Sequence, residues 1–306
     1  MKIGIISDSD CLIPLVYTLA AEKLQVYLYY SPSADEFTNQ KVRAFAKQAA
    51  VPLAEEKNKD HDLYQWLLKG AFNACFVIGY KHLIRINRLR NCSTQLFNIH
   101  FGPLPSFRGP APVFWQLKLG LEKIGLSIHR LTEKFDDGPV VWMKETENCS
   151  YYNCRLVNQL FSQMCIEGAF YVLSCLKGGI PLANIDRSRI TPAYHRRPVL
   201  SDVLINWQQM GAIEICNLVR AGNPWNKGAI TSFNGQEVKL MDATIFSARQ
   251  SKPAAAGAII NDEHVLHIGC QDGNILNVNM LFYQECFVPS YLCRQFGLTK
   301  GKQLTS

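Results

Sequence analysis

Short apolar runs alternate with amphipathic stretches through the first third of the chain. The apolar runs are rich in β-branched, leucine and aromatic residues and predict strands at 2–7, 24–30, 74–79 and 95–100. The stretches between them predict helices near 11–22, 37–49 and 61–69. Strands that alternate with helices indicate a doubly wound, mostly parallel α/β sheet of Rossmann type, with its ligand crevice at the carboxyl ends of the strands.

The same alternation continues to about residue 177. Two runs, 125–135 and 140–147, predict strands on either side of a turn at 136–139. A long helix is predicted over 151–177, and a helix needs one apolar stripe facing the core. That stripe is expected to contain Leu156, Leu160, Met164 and Tyr171.

The character of the chain changes in its second half. Residues 178–200 are polar, basic and punctuated by proline, which is typical of a linker. After a predicted helix near 211–221, short strand-like runs separated by Gly, Asn or Asp indicate a small β-barrel-like fold of OB type. We therefore predict an α/β domain, a linker and an OB-like C-terminal domain, at 1–189, 190–206 and 207–306.

The composition of the 306 residues, 48% apolar and 19% charged, is that of a globular protein with apolar material for two cores. No apolar run reaches the roughly 18 residues that a membrane span needs, and the opening segment has no basic leader or apolar signal core. We therefore expect a cytoplasmic protein without a membrane partner. The net charge of +7 favours an anionic ligand, although the 32 basic residues are scattered along the chain.

Cysteines, histidines and the first turn argue against several classes of site. The 11 cysteines include no pair separated by two residues, which favours reduced core thiols over disulfides or metal ligands. No metal is predicted at His264 and His267, because strand residues three apart face opposite sides. The turn after the first strand, SDSDCLI, lacks the glycine pattern of a dinucleotide site, which argues against a nicotinamide cofactor.

Candidate chemistry gathers at the end of the 95–100 strand. Asn98 and His100 lie two residues apart, so both side chains should face the same side of the sheet. A run rich in Gly and Pro, 102–112, follows and predicts an ordered loop without regular structure. Two carboxylates, Asp136 and Asp137, occupy the later turn, and either could meet the imidazole. Taken singly, each of these residues is as well explained by a hydrogen bond or a turn.

An amide, an imidazole and a carboxylate without a neighbouring Ser or Cys nucleophile suit direct acyl transfer between two bound ligands. Asn98 and a protonated His100 would donate to the oxygen that becomes negative when an amine attacks a carbonyl carbon. The carboxylate would orient the ring, raise the pKa of His100 and accept the proton that the amine sheds.

Two segments, NIHFGPLPSFRGPAP and GLSIHRLTEKFDDGPVV, resemble the signature of formyltransferases that use 10-formyltetrahydrofolate. The match places the catalytic Asn, His and Asp of that family on Asn98, His100 and Asp136, with Gly138 two positions after the acid. Residues 201–231 resemble the start of the C-terminal domain of methionyl-tRNA and amino-sugar formyltransferases. The resemblance therefore implies formyl transfer from a folate to an amine.

The resemblance also implies contacts for the two ligands. A folate pocket would lie between the end of the 74–79 strand and the acid turn, lined by Gly79, Tyr80, Leu83, Ile84, Phe135, Asp137 and Gly138. Arg108 matches a loop arginine of the family and would meet the acceptor or cap the loop. Gly102 is expected near the acceptor because it begins Gly-Pro-Leu-Pro, where the tRNA enzymes usually have Ser-Leu-Leu-Pro.

The acceptor is left open by the resemblance. The tRNA enzymes carry a long basic insertion after the second strand, whereas this chain has a short stretch with Asp35 and Glu36. A surface that tracks phosphates needs clustered cations. We therefore favour a small amine, such as an amino sugar on a nucleotide or an aminoacyl group, with methionyl-tRNA as the alternative. Hydrolysis of 10-formyltetrahydrofolate and an inactive binding module are further alternatives, and the oligomeric state is not predicted.

Overall fold

A seven-stranded sheet is the centre of the first of two units in the computed structural model, which describes residues 1–59, 61–246 and 254–306. The strands are β1 (Lys2–Ser7), β2 (Gln25–Tyr30), β3 (Leu53–Glu55), β4 (Ala74–Ile78), β5 (Gln95–His100), β6 (Lys123–Arg130) and β7 (Val140–Glu147). Their order is β3-β2-β1-β4-β5-β6-β7. Neighbours from β3 to β5 pair in parallel, and β6 runs antiparallel to β5. The prediction of a doubly wound, mostly parallel sheet is confirmed.

Helices connect these strands close to the predicted positions. They are α1 (Ile13–Ala21), α2 (Glu36–Gln48), α3 (Asp62–Gly70), α4 (Pro112–Lys118) and α5 (Cys154–Gly178). The strand β3 was not predicted, because three residues are too few to show a period of two.

The buried face of α5 differs from the predicted stripe. The most deeply buried apolar stripe is Val157, Phe161, Cys165, Ala169 and Val172. Leu156 and Tyr171 are each 41% exposed. The two stripes are one position apart, which is about 100° around a helix of 3.6 residues per turn. The prediction favoured large apolar side chains and undervalued cysteine, which packs as a small hydrophobic residue.

The carboxyl ends of β4 and β5 lie next to each other. All five residues of β4 are buried, which explains why this strand is a continuous apolar run rather than an alternating one. Ile78 of β4 is in register with Ile99 of β5. Gly79 and His100 therefore leave the sheet side by side, at the edge where a parallel sheet offers its ligand crevice.

The second unit is built on an antiparallel sheet that follows α6 (Ala212–Ala221). Its strands are β8 (Ala229–Phe233), β9 (Gln236–Phe246), β10 (Ile259–Asn261), β11 (Leu266–Gly269), β12 (Ile275–Tyr283) and β13 (Cys286–Pro289). The order is β10-β11-β12-β9-β8, with β13 also paired to β12. Asn234 and Gly235, with φ of 51° and 75°, form the tight turn between β8 and β9.

The end of the described chain covers both edges of this sheet. Ile259 of β10 donates to the Lys302 carbonyl at 2.9 Å, and Thr305 donates to the Ser232 carbonyl of β8 at 2.9 Å. The indole of Trp207 is buried and donates to Thr231 Oγ1 at 2.9 Å. The predicted barrel-like C-terminal fold is confirmed, with its edge strands paired rather than open.

The two units do not follow simple sequence segments. The first comprises Met1–Pro112, Lys123–Thr146 and Asn158–Arg196, and the second comprises the remaining described residues. The predicted linker, 190–206, is therefore divided between them. All 11 cysteines are free thiols in the described part of the chain, and six of them are buried, in line with the predicted core role. In residues 1–59, 61–246 and 254–306, every helix is too short or too polar to cross a membrane.

Candidate active site

The strand β5 carries Asn98 and His100 to the carboxyl edge of the sheet. Asn98 Nδ2 lies 3.2 Å from Asp136 Oδ1, and His100 Nδ1 lies 3.4 Å from the same oxygen. Both side chains therefore face the same side, as the period of a strand predicts. His100 is buried and Asn98 is half-buried. Two neighbouring side chains of β5 thus meet a carboxylate that is distant in sequence, beneath the surface.

Asp136 reaches this point from the turn between β6 and β7. Its φ of 52° lies in the left-handed region, which Asp tolerates better than most side chains. Its Oδ2 accepts a hydrogen bond from the Gly109 N–H at 2.9 Å. Asp137 points elsewhere, with 2.7 Å between its Oδ1 and Arg108 Nη2. Of the two carboxylates in the turn, Asp136 is the one that meets the imidazole.

His129 is a fourth member of the cluster that the sequence did not reveal. It lies on β6 directly opposite Asn98 and is buried. Its Nδ1 lies 2.9 Å from the Arg130 carbonyl and must donate to it, so Nε2 accepts from Asn98 Nδ2 at 3.0 Å. Knowledge of the antiparallel register of β5 and β6 would have paired Asn98 with His129. That register joins segments about 30 residues apart in sequence, so no local pattern reveals it.

The loop that follows β5 is fixed by buried polar contacts. Ser127 Oγ donates to the Gly102 carbonyl at 2.9 Å and accepts from the Leu104 N–H at 3.0 Å. A Cβ on Gly102 would lie 3.0 Å from His100 Nε2, so glycine leaves room for the ring in this position. That Nε2 lies 2.5 Å from the Phe107 carbonyl, which can only accept. The ring proton of His100 is therefore on Nε2.

Burial and neighbouring charges set the protonation of the pair. Burial lowers the pKa of His100, and this effect outweighs the Asp136 carboxylate and the Phe107 carbonyl, which raise it. The prediction of a raised pKa for His100 is therefore wrong, because desolvation destabilises the charged ring more than the attraction of one carboxylate stabilises it. Burial acts to raise the pKa of Asp136, but the polar groups around the carboxylate, the Gly109 N–H among them, hold that pKa below its usual range. A neutral imidazole thus faces a carboxylate at neutral pH.

The residues implied as a folate pocket after β4 have different environments. Gly79 has a φ of 62°, and its carbonyl accepts from the Asp8 N–H at 3.1 Å. The hydroxyl of Tyr80 donates to Glu56 at 2.5 Å. Leu83 is 37% exposed, whereas Ile84 is buried in an apolar core cluster. Of these four residues, Leu83 and the backbone groups are therefore the parts that can contact a ligand.

The residues implied at the acid turn, between β6 and β7, differ in how far they are available to a ligand. Phe135 is 50% exposed. Asp137 forms its ion pair with Arg108, whose Nε is buried without a hydrogen-bond partner in the described residues. A Cβ on Gly138 would collide with the Arg130 carbonyl, so this position requires glycine. An anion near the loop could satisfy the Nε of Arg108.

An exposed basic segment follows β4 at the same edge. Within residues 81–90 the cations are Lys81, Arg85, Arg88 and Arg90, all exposed, and there is no acid, giving +4 of a net charge of +7. The expectation of scattered charge therefore overlooked this run, which is present in the sequence itself. Among the described residues, no group of three or more His, Cys, Asp or Glu side chains is placed to hold a metal ion.

Family models match both parts of the chain. The model described as formyl transferase matches residues 9–159, and the model described as formyl transferase, C-terminal domain, matches residues 200–283. The first match contains all four members of the cluster around Asp136.

Individual relatives agree with these matches. A methionyl-tRNA formyltransferase of Thermodesulfovibrio yellowstonii is 27% identical over 233 residues, which are 76% of this chain and 73% of that protein. WlaRD, a sugar 3N-formyl transferase crystallised in the presence of dTDP and 5-N-formyl-THF, has a TM-score of 0.71 at 15% identity, covering 91% of this chain and 97% of that one. The N-formyltransferase from Helicobacter canadensis, solved with folinic acid and dTDP-3-aminofucose, has a TM-score of 0.70 at 14% identity, covering 91% and 98%. At these identities the two solved structures establish a common fold.

Proposed function

Because the chain belongs to the formyl transferase family, we propose that it transfers a formyl group from 10-formyltetrahydrofolate to the primary amine of a small acceptor. The observation that carries the proposal is the approach of Asn98 and His100 to one oxygen of Asp136. The folate ligands of WlaRD and of the Helicobacter canadensis enzyme support a formyl-folate donor. The cytoplasm stays the predicted compartment.

The chemistry of the donor set favours direct transfer. Ser127 is the hydroxyl beside the cluster, and both its proton and a lone pair are used by the loop backbone at Gly102 and Leu104. It is therefore a poor nucleophile. In the proposed reaction the amine nitrogen forms its bond to the formyl carbon while the bond from that carbon to the donor nitrogen breaks. The amine loses one proton and the donor nitrogen gains one.

The His100–Asp136 pair accepts the proton of the amine in this proposal. His100 Nε2 is committed to the Phe107 carbonyl, so the lone pair of the neutral ring is on Nδ1, toward Asp136. A proton that arrives there rests on Nδ1, and the carboxylate stabilises the resulting imidazolium. This role replaces the predicted one, in which His100 is protonated from the start.

Asn98 is the proposed donor to the developing oxyanion. Its Nδ2 donates to His129 at 3.0 Å and to Asp136 at 3.2 Å. Once the His100–Asp136 pair carries a proton, the carboxylate is a weaker acceptor for the longer of these bonds. The formyl oxygen then becomes the better acceptor for that N–H. Such a donor typically contributes roughly a hundredfold or more to the rate.

A small anionic amine is the proposed acceptor, for example an amino sugar carried on a nucleotide. Five residues, 31–35, connect β2 to α2, and Asp35 caps that helix by accepting from the Phe37 N–H at 3.2 Å. This connection holds no basic extension for a tRNA backbone. The cations of residues 81–90 favour an anionic ligand, and the dTDP-linked amino sugar of the Helicobacter canadensis enzyme supports this class.

Methionyl-tRNA is the second candidate acceptor, because the Thermodesulfovibrio yellowstonii relative is a methionyl-tRNA formyltransferase. The deciding experiment incubates the protein with 10-formyltetrahydrofolate and nucleotide-linked amino sugars, free amino acids or methionyl-tRNA. Tetrahydrofolate is followed by absorbance and the formylated amine by mass spectrometry. We expect turnover with a nucleotide-linked amino sugar. Turnover with methionyl-tRNA alone would reverse the choice, and free formate without a formylated amine would identify the hydrolase alternative.

A further inference from the structure

We infer that His195 is a positioning residue for His100 and that it acts through the loop that contains Phe107. The inference rests on the proposed function, because it concerns the ring proposed to receive the amine proton. His195 lies in the segment predicted as a linker, and every contact used below is within the first unit.

Residues 193–195 pair with the loop in the manner of a short strand. The Ala193 N–H donates to the Pro105 carbonyl at 3.1 Å, and the Arg108 N–H donates to the Ala193 carbonyl at 3.0 Å. The His195 N–H donates to the Arg108 carbonyl at 2.8 Å. Arg108 and Tyr194 form a parallel β-bridge. The segment is therefore a structural part of the site and not a solvated connection.

The side chain of His195 holds the middle of the same loop. Its Nε2 lies 3.2 Å from the Ser106 carbonyl, so this nitrogen donates. Its ring stacks on Phe107, with centroids 4.8 Å apart and planes 15° apart. Arg187 Nε adds a bond to the Leu104 carbonyl at 3.1 Å. Together with the backbone pairing, each of the five residues from 104 to 108 is held by the 187–195 segment.

This loop in turn holds both members of the proton-accepting pair. The Phe107 carbonyl lies 2.5 Å from His100 Nε2, and the Gly109 N–H lies 2.9 Å from Asp136 Oδ2. A Cβ on Gly109 would collide with the His195 carbonyl, so the approach of the two backbones requires glycine at a φ of 112°. A displacement at His195 is therefore transmitted directly to His100 and Asp136.

The tautomer of His100 is the property that depends on this contact. A neutral imidazole carries its proton on one nitrogen, and the neighbour of the other nitrogen decides which. Asp136 alone would favour a proton on Nδ1, where it could donate to the carboxylate. The Phe107 carbonyl favours the proton on Nε2 and leaves Nδ1 able to receive the proton of the amine. His195 keeps that carbonyl in place against the preference of Asp136.

The test is His195→Ala, which removes both the ring stack and the N–H to Ser106. Nitrogen-15 NMR of the ligand-free protein is expected to show His100 in the Nε2–H form in the wild type and a large Nδ1–H population in the variant. We expect kcat to fall roughly tenfold with both KM values within about twofold, as for a misplaced catalytic group. The acid limb of kcat should move to lower pH, because loss of the Phe107 bond lowers the pKa of His100, which also faces Asp136 and His129.

Two further variants make the outcome decisive. His195→Phe keeps the stack on Phe107 and loses the N–H, so it should fold and show a smaller change of the same kind. His61→Ala, an exposed histidine of the same unit, should leave the His100 tautomer unchanged. An unchanged His100 tautomer in both His195 variants overturns the inference, even if kcat falls. If the wild type formylates no amine, the proposed function fails, while the tautomer comparison still decides the role of His195.

Discussion

Two loops leave the carboxyl edge of the sheet side by side, and they are held by different forces. Residues 102–109, after β5, are fixed by buried hydrogen bonds from Ser127 and His100. Residues 81–90, after β4, are anchored by the apolar side chains of Ile84 and Leu89 and turn their cations to solvent. Proton transfer needs atoms fixed at hydrogen-bond distance, whereas attraction of an anion does not. The chemistry is therefore expected at the side chains that the fixed loop holds, and charge recognition on the exposed loop.

The largest effect should come from removing the group that the fixed loop orients. His100→Ala deletes the proposed proton acceptor, so we expect kcat to fall by roughly a thousandfold, within the range for general acid–base catalysis. Steady-state assays with the preferred amine and thermal unfolding monitored by circular dichroism measure the two properties. A near-normal kcat in a folded variant would remove His100 from the mechanism.

A smaller loss is expected for Asp136→Asn, which keeps the left-handed backbone and removes the charge. The carboxylate raises the pKa of His100 against burial, so its removal lowers that pKa further. Activity requires the neutral ring and is lost as pH falls through the pKa of His100, so the acid limb should move to lower pH. We expect kcat to fall roughly a hundredfold. NMR titration of His100 measures the shift, and a pKa that rises or stays constant would contradict the pairing.

Ser127→Ala tests whether the position of the fixed loop matters when the proposed catalytic side chains are all kept. The variant leaves the Gly102 carbonyl and the Leu104 N–H without their buried partner. We expect a loss of about 1–3 kcal/mol in the free energy of unfolding and a fall in kcat of roughly tenfold. Urea unfolding and steady-state kinetics provide the measurements. Ser174→Ala, at an exposed position on α5, is the matched control.

The smallest effect should come from the exposed loop. The double variant Arg85→Gln, Arg90→Gln removes two solvent-exposed charges, so we expect KM for an anionic acceptor to rise by a few-fold while kcat is unchanged. The difference from wild type should shrink as salt is added, because exposed charges are screened. The double variant Lys47→Gln, Lys69→Gln, which removes two exposed charges on α2 and α3, is the charge-matched control. A large fall in kcat would mean that this loop also orients the reacting groups.

Local patterns were sufficient to predict much of the fold and part of the site. The period of a strand placed Asn98 and His100 together, and the turn supplied two candidate acids. Only the family resemblance distinguished Asp136 from Asp137, because two adjacent acids in a turn look the same in a local sequence pattern. The structural basis of the choice is the left-handed backbone of Asp136, which aims its carboxylate at His100.

Long-range pairing explains what the sequence could not reveal. His129 joins the cluster through the antiparallel register of β5 and β6, which no local pattern specifies. His195 lies in a polar segment punctuated by proline. Such a composition does not show whether the segment is solvated or, as here, hydrogen-bonded to a loop. The lowered pKa of His100 is equally a property of burial, which depends on the whole fold.

The backbone of Asp136 also limits which residues can replace it in evolution. Single-base changes of an aspartate codon lead to Asn, Gly, Ala, Val, His, Tyr or Glu. A φ of 52° is tolerated well by Asn and Gly but strains side chains such as valine. Descendants that keep the fold but lack the carboxylate should therefore most often carry Asn or Gly at this position. Given the proposed role of Asp136, such a residue in a related genome would be a practical marker of a formyl transferase fold that has been recruited to another task.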